Sequence, residues 1–389
     1  VQGIWHWDVT STVEGMAMRI AQVAPLHLAV PPEGYGGTER VIAELTDALV
    51  AGGHEVTLFA SGDSRTQAHL APFAPAAQGF SPATDLVETH LALLTEVYRR
   101  AEAGDFDVIH SHLEHLTLPF VRSVRTPTVL TFHSRLDQPT LVRLLHAYPD
   151  AHLVSISDSQ REPVPDVGWV ATVYHGVDVQ SFPFSAAPGS YLVFVGRIAP
   201  EKRPDRAIAI AKRAHVPLKI AAKVDPEDRA YFNQVVRPFL DDPLIDLVGP
   251  LTERHKRELM RGACALLSPI DWPEPFGMVF IEALACGTPV LTCPSGAAPE
   301  VVEDGVTGFI RASDDELVEA VHLVGTLDRA TCRQQAEERF DATCMAEHYV
   351  RVYERVLARK GQPRWRVLLG LSRRGRTSPS CASAASRRV

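Results

Sequence analysis

The stretch "YLVFVGRIAPEKRPDRAIAIAKRAHVPLKIAAKV", residues 191–224, decides the fold. It opens on a short apolar run, "YLVFVGRI", of strand length and strand composition. It then changes period, so that "AIAIAKRAHV" carries its apolar residues at helical spacing. A second short run, "LKIAAKV", returns to the strand pattern. Strand, helix, strand in repetition predicts a parallel sheet with helices packed on both faces.

The same alternation extends in both directions. Downstream it runs through "IDLVGPL", "HKRELMRGACALLSPI", "FIEALACGTPVLTC" and "ELVEAVHLVGTL". Upstream an earlier series comprises "RIAQVAP", "GTERVIAELTDALVAGG", "HEVTLFAS", "FDVIHSH", "PTVLTFHS" and "HLVSISDSQ". Between the two lies "VYHGVDVQSFPFSAAPGS", rich in turn formers and poor in periodicity, which reads as a linker with a boundary near Ala187. The fold class is therefore α/β, with two doubly wound domains expected at residues 18–187 and 188–338. A closing helix is expected over 339–358, with Phe340, Met345, Tyr349, Tyr353 and Val356 near one face. Sheets of this kind bind ligands at the carboxyl ends of their strands, so the expected site is the cleft between the domains.

The totals exclude several classes. A chain of 389 residues has ample material for two cores. Its net charge of -8 argues against a general nucleic-acid binder. The six cysteines show no C-x-x-C or zinc-like spacing. Cys264, Cys286 and Cys293 lie in apolar runs and read as reduced core residues of a cytoplasmic protein. No apolar run reaches transmembrane length. The first seventeen residues, 1–17, lack the charged and apolar regions of a signal peptide and read as a disordered leader, with Met16 or Met18 as the natural start. Residues 359–389 are basic and Ser/Ala-rich and read as a disordered tail. The alternative is a weak peripheral anchor to the inner face of an anionic membrane through Trp365, Val367, Leu368 and Leu369.

Three segments carry candidate chemistry. The first, "PPEGYGGTERVI", places Gly34, Gly36 and Gly37 ahead of a helix, where backbone N–H groups favour an anion. It is neither a Walker A loop nor an ordered G-x-G-x-x-G, so nucleotide hydrolysis of that type and dinucleotide redox chemistry are disfavoured. The second, "VFVGRIAPEKRPDRAIAIA", delivers Arg197 to the end of a strand and Lys202 to the approach of the next helix. Two cations there suit a diphosphate, as ligand and as leaving group. Arg203 and Arg206 read as solvated surface charges.

The third, "WPEPFGMVFIEALACGTPVL" at 272–291, carries Glu274 in a loop stiffened by two prolines and Glu282 in the helix behind it. Macrodipole stabilisation is the plain explanation for Glu282. A carboxylate also accepts two hydroxyl hydrogen bonds at once, as from a ribose diol. Two polyol-reading carboxylates beside two cations describe a nucleotide-sugar site. Glu300 in "APEVV" reads as a structural cap or pair.

The E-x7-E pair in "EPFGMVFIE", with "ALACGTPVLTC", "GAAPEVVEDGVTGFI" and "GRIAPEKRPDRAI", resembles glycosyltransferase family 4, retaining enzymes of the GT-B fold with two Rossmann-like domains. The resemblance runs from about Met18 to about Leu357. "PPEGYGGTERVIAELTDALVAGGHEVTLFASGDSRT", "VSISDSQR", "TVYHGVD" and "WPEPFG" resemble especially the branch of the avilamycin-type oligosaccharide transferases. Two positions depart from it: Arg203 stands where many relatives have glycine, and His175 where the wider family often has asparagine.

The resemblance implies that Arg197 and Lys202 bind the donor β-phosphate, that Glu282 binds the ribose and that Glu274 lies near the donor sugar. The backbone around Phe276, Gly277 and Met278 would touch sugar hydroxyls, and Gly36 and Gly37 would line the phosphate from the other domain. His112 matches the family histidine that faces the sugar, and His133 at a neighbouring strand end would line the acceptor side. The implied reaction is metal-independent and cofactor-free front-face transfer, from a nucleotide-diphosphate sugar to a saccharide, lipid-linked or small-molecule acceptor. A sugar-nucleotide epimerase of the same fold and a non-catalytic sugar-nucleotide-binding protein are the competing readings. A phosphorylase would need a pyridoxal-phosphate lysine, for which there is no strong candidate.

Overall fold

The computed structural model describes residues 17–79 and 86–360. The leader, apart from Ala17, and the tail beyond Lys360 lie outside the described residues, and so does the anchor reading that rests on Trp365 and its neighbours.

The first sheet contains β1 (Arg19–Val23), β2 (Glu55–Ser61), β3 (His69–Ala74), β4 (Val108–Ser111), β5 (Thr128–Thr131), β6 (His152–Ser155) and β7 (Trp169–Thr172). These seven strands are parallel, in the order β3-β2-β1-β4-β5-β6-β7. The second sheet contains β8 (Leu192–Arg197), β9 (Leu218–Lys223), β10 (Ile245–Leu247), β11 (Ala265–Ser268), β12 (Val290–Thr292) and β13 (Gly308–Ile310). These six are also parallel, in the order β10-β9-β8-β11-β12-β13. Strands buried on both faces read as continuous apolar runs, which is why β4, β5, β11 and β12 contain no exposed residue. In each sheet the strand order reverses once, between β1 and β4 and between β8 and β11, and a crevice opens beyond the carboxyl ends at each switch. The two crevices face each other across a cavity of about 650 Å³ lined from both sheets.

Three strands lay outside the sequence reading. β3 contains Pro72, β7 has only four residues and β13 only three, and all are sheet edges, where proline and short pairing are tolerated. The closing helix, Ala342–Lys360, also differs from expectation. Phe340 does not belong to it but ends the preceding helix, Arg329–Arg339, and packs in the core of the second domain. Met345, Tyr349, Tyr353 and Val356 pack instead against Ile20, Val41, Leu45 and Val108 of the first. The chain therefore crosses between the domains twice. The crossings touch, with Val177 N–H donating to the Phe340 carbonyl at 2.9 Å and Ala342 N–H to the Val177 carbonyl at 2.9 Å. Among the described residues no helix is long and apolar enough to cross a membrane.

Candidate active site

The wall supplied by the second sheet is built around the E-x7-E segment. Gly277 adopts φ 89°, and a Cβ there would lie 2.6 Å from the Phe280 ring. Only glycine fits this sharp turn into the helix Met278–Ala285. The turn leaves Glu274 in the loop and sends Glu282 into the helix, where it is buried. The loop is fixed at several points. Ala297 N–H donates to the Glu274 carbonyl at 2.9 Å, Ser295 Oγ to the Trp272 carbonyl at 2.6 Å, and Ser157 Oγ of the first domain to the Pro275 carbonyl at 2.6 Å.

Each carboxylate holds a lysine. Glu274 Oε2 pairs with Lys202 Nζ and accepts from Trp272 Nε1 at 2.9 Å, while Lys202 Nζ lies 4.6 Å from the centre of the Trp272 ring. Glu282 Oε1 pairs with Lys256 Nζ at 2.9 Å. Lys256 also pairs with Glu253 at 3.0 Å, and Glu253 meets Arg40 of the first domain at 2.8 Å. Arg40 in turn donates to the Gly34 carbonyl at 3.0 Å, so Glu282 is linked through Lys256, Glu253 and Arg40 to the glycine loop. Lys256 and Arg40 were not singled out in the sequence, because Lys256 sits on the charge-rich helix Glu253–Arg261 and Arg40 reads as an ordinary charge in the first turn of the helix Gly37–Ala51.

Lys202, Glu274, Phe276, Gly277, Met278 and Glu282 all line the cavity. Arg197 does not. Its guanidinium is held by Glu201 at 2.6 Å, with Asp228 at 3.5 Å and Asp225 at 3.8 Å, and it also interacts with Tyr35. Arg203 and Arg206 are not the solvated charges expected. Arg203 has φ 54° and is gripped by Asp205 and Asp271, and Arg206 pairs with Asp314 at 2.6 Å. The left-handed backbone at Arg203 is one that glycine adopts without strain. Glu300 does cap, accepting from Asp158 and Ser159 N–H at 2.8 Å each and from the Tyr174 hydroxyl at 3.0 Å.

The opposite wall comes from the first sheet. Gly36 and Gly37 stand at the amino terminus of the helix Gly37–Ala51 and line the cavity, as do Gly34 and Tyr35. A Cβ on Gly36 would meet Leu28 at 2.7 Å and Pro32 at 2.8 Å, so the loop must pass too close for a side chain. The first turn of that helix leaves backbone N–H groups without helical partners.

Beneath it lie the histidines. His112 and His133 follow β4 and β5, with His112 Nδ1 2.9 Å from His133 Nε2. His175 stacks on His133 at a centroid distance of 5.1 Å and meets Phe276 edge-on at 4.9 Å. All three line the cavity. Burial pushes the His133 imidazole down to about 3. Burial, reinforced by neighbouring imidazoles, holds His112 and His175 well below the usual histidine range. At neutral pH these rings are uncharged hydrogen-bonding groups. Among the described residues no three or more His, Cys, Asp or Glu side chains converge to hold a metal ion.

Comparison with known proteins bears on this arrangement directly. Residues 35–181 match the family described as Glycosyltransferase Family 4, and residues 183–339 match Glycosyl transferases group 1. The phosphatidyl-myo-inositol mannosyltransferase of Mycolicibacterium smegmatis is 27% identical over 383 residues, spanning 87% of this chain and 94% of that protein. The D-inositol 3-phosphate glycosyltransferase of Frankia alni is 29% identical over 360 residues, spanning 76% and 85%. Among solved structures, a glycosyltransferase involved in avilamycin A biosynthesis superimposes with a TM-score of 0.69 at 23% identity, covering 88% of this chain and 98% of that one. HepE from Anabaena, solved with UDP and glucose, gives a TM-score of 0.67 at 16% identity, covering 87% and 100%. Two family matches that run almost without a break from residue 35 to residue 339, on two facing parallel-sheet domains, make this chain a member of the family 4 and group 1 glycosyltransferases of GT-B fold.

Proposed function

We propose that the chain transfers a sugar from a nucleoside-diphosphate sugar to an acceptor hydroxyl with retention at the anomeric carbon, without a metal ion. The observation that carries this reading is the pairing of Lys202 with Glu274 and of Lys256 with Glu282 on one wall of the cleft, opposite the open helix terminus at Gly36 and Gly37. Each lysine–carboxylate pair can exchange partners with a ligand. A diphosphate draws Lys202, and the ribose diol draws Glu282. Complexes of relatives of the same fold with UDP, UDP-glucose and ADP support a donor of this class.

In the reaction the bond from the anomeric carbon to the diphosphate oxygen breaks, and the acceptor oxygen bonds to the same face of the sugar. The departing phosphate oxygen takes the acceptor's proton. Lys202 and the amides of the glycine loop stabilise the charge on the leaving diphosphate. Arg197 joins them by turning from its carboxylates toward the phosphate. Glu274, already bound by Lys202 and Trp272, orients the sugar rather than attacking it. The protein supplies position and electrostatics, and the closing of the cleft brings His112 and Gly37 against the donor.

A thermal-shift panel of UDP-, GDP-, ADP- and dTDP-sugars tests the donor class, because a ligand that binds only the native state raises Tm. Transfer from the stabilising donor, with the anomeric configuration of the product read by NMR, tests the chemistry. Donor binding without turnover of any acceptor would favour a binding protein, and an inverted product would exclude the front-face route.

A further inference from the structure

Gln22 stands fourth in β1 and is wholly buried, at a position where the strand pattern calls for an apolar side chain. A buried amide is tolerated only if both its ends are paired. Its Nε2 donates to the Tyr353 hydroxyl at 3.4 Å, and its Oε1 accepts from His112 Nε2 at 3.0 Å. A carbonyl oxygen only accepts, so the hydrogen of the neutral His112 ring is on Nε2 and its Nδ1 is a bare lone pair. That lone pair lies 2.9 Å from His133 Nε2, which must then supply the hydrogen. His133 is left with a bare Nδ1, which is buried, has no protein partner and belongs to a ring that lines the cleft. The opposite polarity would put an N–H at this atom with no acceptor, and an orphaned buried donor is rarer in folded proteins than an unfilled lone pair.

We propose that Gln22 is a positioning residue that sets the tautomers of His112 and His133, so that His133 presents Nδ1 as a hydrogen-bond acceptor to a substrate hydroxyl in the cleft. The proposal rests on the glycosyl-transfer reading only for the identity of that hydroxyl. The order of hydrogens along Gln22, His112 and His133 is a property of the free protein. The network continues away from the cleft, because the Tyr353 hydroxyl also lies 2.8 Å from His110 Nδ1, and His110 Nε2 lies 2.8 Å from Thr131 Oγ1. The tautomers are thus tied to the closing helix.

The test is nitrogen-15 NMR of histidine-labelled, ligand-free protein, with ring assignments from His112→Gln and His133→Gln. The expected spectrum shows both rings neutral, each with a pyrrole-like Nε2 and a pyridine-like Nδ1. A pyrrole-like Nδ1 on His133 in the wild type would overturn the proposal, whatever the variants do. Gln22→Met, checked for folding by its melting curve, should release the constraint and move both rings toward a tautomer mixture. Gln22→Glu retains an oxygen facing His112 and should keep the wild-type pattern. Unchanged shifts in a folded Gln22→Met would also overturn it. With a donor identified by thermal shift, turnover should fall about tenfold in Gln22→Met, as for loss of one oriented hydrogen bond, and recover in Gln22→Glu. Equal losses in the two variants would indicate packing alone.

Discussion

The two walls of the cleft solve different problems with the same fold. The wall from the second sheet holds full charges in pairs, Lys202 with Glu274 and Lys256 with Glu282. The floor from the first sheet holds His112, His133 and His175, which burial keeps uncharged. Paired charges can change partner when a charged ligand arrives, and the pairing limits what they cost while the cleft is empty. Neutral imidazoles offer directed hydrogen bonds and leave the leaving-group charge to the other wall. On the proposed function, the charged side would meet the diphosphate and the neutral side the hydroxyls.

The largest expected break in this comparison comes from Lys202→Ala. If the charged wall stabilises the leaving diphosphate, kcat should fall by about a hundredfold or more, the scale of losing one preorganised donor. Arg197→Ala should cost less, because its guanidinium is shared among Glu201, Asp228 and Asp225 and does not line the empty cleft. Steady-state kinetics of the two variants reads the difference. A Lys202→Ala enzyme that loses only donor affinity would move this lysine from transition-state to ground-state binding.

The next effect divides the charged wall itself. Glu282→Gln should weaken bare nucleoside-diphosphate binding by roughly tenfold, as for one hydrogen bond to a charged group. Glu274→Gln should leave that binding nearly unchanged and lower kcat, because only the sugar feels this carboxylate. Calorimetry of the diphosphate and kinetics with the full donor measure both. The same profile from both variants would merge the two roles.

A smaller effect belongs to the joint between the walls. Glu44 accepts from the Asp178 N–H of the linker at 3.0 Å, and burial pushes its carboxyl up to about 7. Asp178 adds to this rise, while the backbone bond, Arg257 and Arg40 oppose it. A carboxyl whose pKa is higher in the folded protein binds its proton more tightly there, so its stabilising contribution is full at acid pH. That contribution is lost as pH rises from the ordinary carboxylate range through about 7. Glu44→Gln should flatten this part of the Tm-versus-pH curve and raise Tm by about 1 °C at pH 8, for a change of about 1 kcal/mol in a chain of this length. An unchanged slope would remove Glu44 as its source. The smallest expected effect is none at all: turnover should persist in excess EDTA, because cations of the protein meet the diphosphate. Activity lost to EDTA and restored by magnesium would refute metal independence.

Much of this arrangement was legible in the sequence because it is local. The strand–helix period gave both sheets their character, the glycine loop sits in one helix turn, and Glu274 and Glu282 share one loop-helix unit. The illegible part consists of partner choices made across the fold. Nothing near Lys256 marks it as the partner of Glu282, and a glutamine in "RIAQVAP" looks like a tolerated polar residue until its strand is laid beside β4. Arg203 and Arg206 were misread for the same reason, since Asp271 and Asp314 approach them only in the folded chain. The edge strands β3, β7 and β13 were missed because an edge lets the chain relax the pattern that marks a central strand.

The closing helix has a consequence for how the protein is made. Met345, Tyr349 and Tyr353 complete the core beneath β1 and β4, and the Tyr353 hydroxyl holds both Gln22 and His110. The first sheet is synthesised first, yet this part of its core stays open until the second domain has been translated and the helix Ala342–Lys360 has cleared the ribosome. The usual order of domain-by-domain folding during synthesis is thereby interrupted. The histidine floor gains its Tyr353 contacts only once almost the whole described chain is present.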